Sequence, residues 1–538
     1  MELDISKIGD TNISSDLFRR SIEDPDRLGI IFENGDALTY GEWENRAAKC
    51  SSILTEVLEI QQGDRVMLYL KNSLDLVCLL FGCWKAGVVP ITLSVMYNSE
   101  ELLAALWKTK PKAIFVHLEQ LKNVQVASSN ESCSDLKNVV VLGASPEETS
   151  PSGQLSFSQL LVDAKSSNVI FEPTQASEGT ILFTGGTTGL PKAVTVTHFG
   201  TRQALEILAK ASKTGLKPPY NMVKQEVSPN LLMLPLFHSG GQQSLLFALF
   251  VGRSMILMER FRVQTLERLV LKYKVDNLFL MPTMLYDIVH SKTRIDLSPV
   301  RSVLIAGQAL DPGLKQEFES GWKIPVVSNY GSTEIGHVAG WTSSDLKAKR
   351  WKAGPVGRIY DDVTIEIRDE NGHALNTRAE GEIWVKTSLS KAYVDETSLD
   401  EEILNVDGWV GSGDIGYVDG DRLLYLVGRK RDMIKTGGFQ VWPQEIEQVL
   451  RTHRAVADVA VVGIPNARMG EIPKAFLVLD KGFTGSFKEL NDQLTELCRE
   501  KLAHFKCIKE IEVISALPRS EAGKVQRSEL ISRSNKSK

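Results

Sequence analysis

Cysteine is scarce in this chain of 538 residues: there are six, at positions 50, 78, 83, 133, 498 and 507, with no CxxC spacing and no clustered histidines beside them. Neither a disulfide framework nor a zinc site is implied, and a reducing compartment fits. An excess of charge of one sign is also missing. Lys and Arg number 62 against 67 Asp and Glu, a net charge of −5, which argues against a nucleic-acid binder held by bulk charge. Long apolar runs are absent too. The longest, at 76–84 and 244–251, fall far short of the ~20 residues that cross a bilayer. The opening MELDISKIGD has no apolar signal core and the closing SNKSK is not an SKL-type peroxisomal address, so the expected location is the cytoplasm.

Hydrophobic residues make up 43% and charged residues 24% of the chain, which is enough to bury a large core. At roughly 150 residues per domain the length suggests three to four compact units. From about 28 to 330 short apolar segments alternate with amphipathic stretches. The pieces 65–70, 113–117, 139–142, 255–258, 278–281 and 303–306 read as buried strands, and 73–86, 99–108 and 265–273 as helices. This is the pattern of parallel α/β layers. After about 350 the texture becomes short alternating strands with turn residues, which predicts a small antiparallel unit. Near 433 a third texture begins, with helices at 443–451 and 487–501 and strands at 456–462 and 475–478. It predicts a separate α+β domain of about a hundred residues.

Four segments carry chemistry. Thr184-Gly185-Gly186-Thr187-Thr188-Gly189-Leu190-Pro191-Lys192 follows an apolar strand and offers backbone N–H groups, hydroxyls and a cation, the set a polyphosphate needs. It is not a Walker A loop, because Lys192 follows a proline and no hydroxyl comes after it. Asn329-Tyr330-Gly331-Ser332-Thr333-Glu334 lies at a strand's C-terminal end, where α/β folds place ligands, with an aromatic face for a base and a carboxylate for magnesium. The pair Gly413-Asp414 reads as a carboxylate on a tight turn, and Arg429 after Gly428 supplies a fork for phosphate or ribose. Lys524 follows a flexible glycine in a basic tail. Each segment, taken singly, also has a plain reading as a turn or a solvated surface.

In order and spacing together, these segments resemble the adenylate-forming superfamily of acyl-CoA synthetases, firefly-type luciferases and peptide-synthetase adenylation domains, over nearly the whole chain. Residues 184–192 resemble TSGTTGxPKG, 330–334 YGxTE, 413–414 the end of TGD, 428–447 GRxxDxIxxxGxxVxPxEIE, and 518–527 PRxxxGKxxR. The resemblance implies an α/β fold: a large N-terminal domain, 1–431, of two α/β sheet subdomains plus a small β-barrel-like subdomain, and a small mobile α+β C-terminal domain, 432–538, hinged at Asp432.

The activity so implied is the joining of a carboxylic acid to AMP from ATP, followed by transfer of the acyl group to coenzyme A. The cofactors implied are ATP and Mg2+, with coenzyme A as co-substrate and fatty-acid metabolism as the broad setting. By the same resemblance Thr184, Gly186, Thr187, Thr188 and Lys192 hold the β- and γ-phosphates, and Thr188 with Glu334 lies near the metal. The AMP moiety contacts Tyr330, with Asn329, Gly331, Ser332 and Thr333 around it and Ala306, Gly307 and Gln308 along the other side of the adenine. Asp414 binds the ribose beside Arg429, and Lys524 contacts the acid and the α-phosphate. Residues 234–241 resemble PLFHxxG, so His238 borders the acid pocket, with space left by Gly240, Gly241 and Gly307. Gly437 and Gly438 form the acceptor's passage after a domain rotation. Three segments depart from the pattern: Gly185 stands for Ser, Ala193 for Gly, and Gly307-Gln308 differs from the common GGA run. The alternative kept open is an acid–amino acid ligase of the coronafacate ligase kind, in which an amine takes the acyl group. Luciferase chemistry and a catalytically dead binding protein are weaker alternatives.

Overall fold

The computed structural model describes residues 11–130, 133–143, 154–167, 170–184, 192–212, 227–307, 310–394, 407–437, 439–480, 482–519 and 523–536. Gly185, Gly186, Thr187, Thr188, Gln308 and Gly438 lie outside them.

Eight strands build the first sheet, in the order Ser390–Tyr393, Lys192–Thr197, Glu178–Thr184, Val89–Thr92, Arg65–Tyr69, Ala113–His117, Asn138–Leu142 and Leu155–Ser156. From Glu178–Thr184 onward the neighbours run parallel. Such strands are covered on both faces, so they are continuous apolar runs: Val66, Met67, Leu68 and Tyr69 are fully buried, as are Ile114, Phe115 and Val116. The helix Leu74–Ala86 packs beside them, started by Ser73, whose hydroxyl accepts from the Leu76 amide, and stopped by Gly87 in the left-handed region. At its end Lys85 is wholly buried and paired with Glu44.

The second sheet has nine strands. Asn277–Leu280, Ser302–Ile305 and Val326–Ser332 are parallel, and six antiparallel strands continue from their edge, ending at Thr364–Arg368. The small antiparallel unit is therefore contiguous with this sheet. A further sheet joins Asn230–Leu232, Met255–Leu257, Leu28–Phe32 and Ala37–Thr39. The C-terminal sheet consists of Phe439–Val441, Ile434–Thr436, Gly470–Leu479 and Val456–Asn466, with Glu510–Val513 parallel to Gly470–Leu479. One of its faces is covered by helices Pro443–Arg451 and Phe487–Lys501 through Ile446, Leu450, Leu490 and Leu494. The other receives Leu530 of the final helix. The expected α/β architecture, a large N-terminal body of sheets and helices followed by a smaller α+β domain, is what the chain adopts.

All six cysteines are buried and unbridged, and no helix among the described residues is long and apolar enough to cross a membrane.

Candidate active site

Lys192 and Thr184 face each other across an antiparallel pair, Glu178–Thr184 with Lys192–Thr197, so the glycine-rich segment between them connects two strands of a hairpin. Its cation is fixed at the first residue of a buried strand. Its Nζ lies 5.8 Å from the centroid of the Tyr393 ring, a residue that no sequence motif singles out.

The second segment begins inside its strand and not beyond the strand's end. Strand Val326–Ser332 runs through Tyr330 and turns tightly into Gly336–Gly340. Gly331 makes this possible, because a Cβ there would meet the Gly336 carbonyl oxygen at 1.9 Å. Glu334 sits on the turn with both carboxylate oxygens engaged: Ser332 Oγ donates to Oε2 at 2.7 Å and Tyr393 donates to Oε1 at 3.2 Å. Thr333 Oγ1 lies 3.0 Å from Ser239 Oγ, which ties this turn to the start of helix Ser239–Phe250.

Asp414 corrects one expectation. It is not on a tight turn but inside strand Trp409–Val418, opposite Arg429 of strand Leu423–Arg429. Gly413, at φ +67°, re-aims the strand just before it. Arg429 Nε donates to Asp414 Oδ1 at 2.8 Å, and the Tyr330 hydroxyl donates to Oδ2 at 2.9 Å. Burial and the Asp414 charge raise the Tyr330 phenol well above its ordinary value. The same carboxylate raises the Arg429 guanidinium.

His238 caps helix Ser239–Phe250, its Nδ1 accepting from the Gly240 amide at 3.2 Å. Burial, with a smaller push from the Lys524 charge, brings its pKa down to about 4, so it is neutral at pH 7. Of the three glycines expected to leave room beside it, Gly241 does not. A Cβ there would meet the Pro235 carbonyl oxygen at 2.1 Å, so the missing side chain admits backbone instead. Gly307, at φ +86°, faces the Met281 thioether, and Gly240 faces Leu234. Asn329 engages two buried neighbours: its Oδ1 is 3.0 Å from His337 Nδ1, and its Nδ2 donates to the Tyr360 hydroxyl at 2.8 Å.

Lys524 belongs to the other domain and is brought here. Its amine lies within electrostatic reach of Glu334, Asp414, Arg429, Arg431 and His238. Desolvation, then Arg429, pull its pKa below the usual lysine value, against the opposing pull of the two carboxylates. The segment bearing it is braced, not a loose tail. Arg519 donates to the Gly523 carbonyl at 2.7 Å and to Asp458 at 2.6 Å, and Arg519 and Val525 form an isolated bridge. On its far side Arg527 donates to Glu447 at 2.6 Å and lies 3.4 Å from Asp432. A Cβ on Gly523 would strike the Thr283 side chain at 2.3 Å, so the two domains touch at this point. Asp432 ends the short 3-10 turn Lys430–Asp432 that links them. Gly437, at φ +58°, faces Met469, whose methyl carbon would lie 2.5 Å from a Cβ there.

A large body of α/β sheets in which two adjacent antiparallel strands hold a carboxylate–guanidinium pair, joined to a small α+β domain that delivers a lysine to it, is the architecture of adenylate-forming enzymes. The chain belongs to the AMP-binding enzyme family, which matches residues 17–394, with the AMP-binding enzyme C-terminal domain at 445–524. Within that superfamily it stands near the acyl-CoA ligases. It is 29% identical over 507 residues to 4-coumarate–CoA ligase-like 9 of Arabidopsis thaliana, covering 92% of this chain and 85% of the relative. It is 27% identical over 550 residues to a long-chain-fatty-acid–CoA ligase of Yersinia pestis, covering 94% and 95%. ATP-bound MatB from Rhodopseudomonas palustris shares the fold with a TM-score of 0.85 at 24% identity, over 97% of this chain and 98% of that one.

Proposed function

We propose that this enzyme is an acid–CoA ligase that works in two half-reactions at one site. A carboxylate is a poor electrophile, so its oxygen first attacks the α-phosphorus of ATP. The new O–P bond replaces the bond to the β-phosphate oxygen, and pyrophosphate leaves. The thiol of coenzyme A then gives up its proton to solvent and attacks the acyl carbon; a C–S bond forms as the C–O bond to AMP breaks and AMP leaves with the bonding pair. The observation that carries this reading is the position of Lys524, an ammonium from the second domain set among Glu334, Asp414, Arg429 and His238.

In this reading residues 1–431 bind acid and ATP, and 432–538 form the mobile domain with its hinge at Asp432. Thr184, Gly186, Thr187, Thr188 and Lys192 hold the phosphates. Asp414 receives the ribose hydroxyls once the nucleotide displaces some of its present pairing, with Arg429 holding the carboxylate in place. The adenine lies between Tyr330 and the 306–308 segment. Lys524 stabilises the charge that grows on the α-phosphate oxygens and the attacking carboxylate. Neutral His238 borders the acid without adding a second positive charge near it. After the domain turns, Lys524 leaves and the Gly437-Gly438 segment enters; the pantetheine arm passes there once the flexible Met469 side chain, which now fills the space beside Gly437, gives way.

Magnesium fits the donors present. The described residues hold no cluster of three or more acidic, His or Cys groups, whereas one carboxylate plus substrate phosphates is the usual way Mg2+ is held. Glu334, with Thr188, supplies that oxygen side of the site, and the metal when bound neutralises phosphate charge. The test of the whole reading is a competition. The enzyme, ATP, Mg2+ and an acid library are incubated with coenzyme A and mixed amino acids, following pyrophosphate and resolving products by mass. Thioester as the dominant product is expected; amide formed while coenzyme A goes unused overturns the thiol acceptor.

A further inference from the structure

Lys192 and Glu334 belong to different sheets, and one side chain touches both. Lys192 opens strand Lys192–Thr197 of the eight-stranded sheet. Glu334 rides the turn between two strands of the nine-stranded sheet. Strand Ser390–Tyr393 pairs antiparallel with Lys192–Thr197, placing Tyr393 opposite Val194. From that edge it reaches across to the turn. The Ser390 hydroxyl donates to the Glu334 backbone oxygen at 2.8 Å, and the Tyr393 hydroxyl donates to Oε1 at 3.2 Å. The Lys192 ammonium meanwhile sits 5.8 Å from the centroid of the same ring. Tyr393 is 8% exposed, so packing locks its rotamer.

We propose that Tyr393 is a positioning residue for adenylation: its hydroxyl aims the Glu334 carboxylate at the metal carried by ATP, and its ring seats Lys192 for the phosphates. The chemistry favours this use of a phenol. With one neutral donor on each oxygen, from Tyr393 and Ser332, the carboxylate keeps lone pairs for a cation while its rotamer is settled in advance, so binding meets less of that ordering cost. A lysine or arginine in place of the phenol would aim the carboxylate equally well but would repel the metal. The aromatic face attracts the Lys192 ammonium and helps fix where it sits. The inference rests on the roles given above to Glu334 and Lys192.

The test uses three variants, Tyr393→Phe, Tyr393→Leu and Glu334→Gln. ATP binding is measured by titration calorimetry with Mg2+ and again with EDTA, alongside the Mg2+ dependence of acid-dependent ATP–pyrophosphate exchange. Tyr393→Phe keeps the buried ring, so a folding defect is not its expected effect. It should weaken Mg-ATP binding about 10-fold, the scale of one hydrogen bond to a charged group, and raise the half-saturating Mg2+. Its ATP affinity in EDTA should be unchanged. Tyr393→Leu should lose affinity in EDTA as well, because Lys192 loses its seat. Tyr393→Phe binding Mg-ATP like the unaltered enzyme, or losing equally with Mg2+ and with EDTA, overturns the inference. If Glu334→Gln abolishes the metal-dependent gain while Tyr393→Phe leaves it intact, the Tyr393 role alone falls. If Glu334→Gln also leaves it intact, the metal role of Glu334 falls and takes this inference with it.

Discussion

Lys524 is a single ammonium on a segment that Arg519 and Arg527 brace from either side, and its expected work is confined to one half-reaction. Lys524→Ala should cut acid-dependent pyrophosphate release by about 10²-fold or more, the scale of losing a transition-state donor. Transfer to coenzyme A from a supplied acyl adenylate should be nearly intact; a rapid-quench assay of each step checks it, and equal loss in both removes the assignment. Gly331 tests the turn that carries Glu334. With the Gly336 carbonyl oxygen 1.9 Å from where a Cβ would stand, Gly331→Ala must push the paired strands away from each other. It should lower unfolding stability by about 1–3 kcal/mol in urea titration and reduce adenylation more than in proportion, because Glu334 moves with the strand.

Among the elements, the connector Lys430–Asp432 has the plainest consequence. If the domain turns about Asp432, proline there fixes φ near −65° and restricts the swing. Asp432→Pro should retain pyrophosphate release and lose thioester formation; transfer at the unmodified rate places the pivot elsewhere. Some elements are readable in the sequence and others are hidden, for physical reasons. Arg65–Tyr69, Ala113–His117 and Asn138–Leu142 stand out because parallel strands covered on both faces must be apolar throughout, and the helices beside them carry caps such as Ser73 and Asn98. Asp414 reads wrongly as a turn residue because a glycine beside an aspartate normally marks a turn, whereas here Gly413 bends a strand that continues. Leu28–Phe32 gives no sign of its partner, since the pairing with Met255–Leu257 is set only by tertiary packing. The identities of Lys192, Glu334, Asp414 and Lys524 are legible as charged residues in glycine-rich or strand-end contexts. Tyr393 is not, because nothing local in the run from Ser390 reveals that it meets a turn on another sheet.

For the molecule as a whole, three desolvated histidines contribute to the response to acid. Burial brings His198 to about 3 and His238 and His337 to about 4, against about 6.5 in an unfolded chain. Well above pH 6.5 all are neutral in both states and contribute little pH dependence. Below it the unfolded chain takes up protons that the folded one refuses until about pH 4, so stability falls as pH drops through that window. The urea midpoint should hold between pH 7 and 8 and decline steadily from 6.5 downward. His198→Asn, which offers an oxygen to the Ile13 amide that now donates to Nδ1, should make that slope shallower; an unchanged slope would assign it to other groups.

The strand Ser390–Tyr393 also decides where this polypeptide can be cut. It is the outermost member of the eight-stranded sheet although it arrives after most of the nine-stranded one has been laid down. A fragment ending at 386 would retain every other strand of the first sheet yet leave Lys192–Thr197 as a bare rim of unpaired amides and carbonyls, the kind of border along which separate molecules zip together. Eight further residues, to 394, would restore that border while still leaving the nine-stranded sheet without Trp409–Val418 and Leu423–Arg429, so of two fragments differing only by this short segment the shorter should associate more strongly in light scattering.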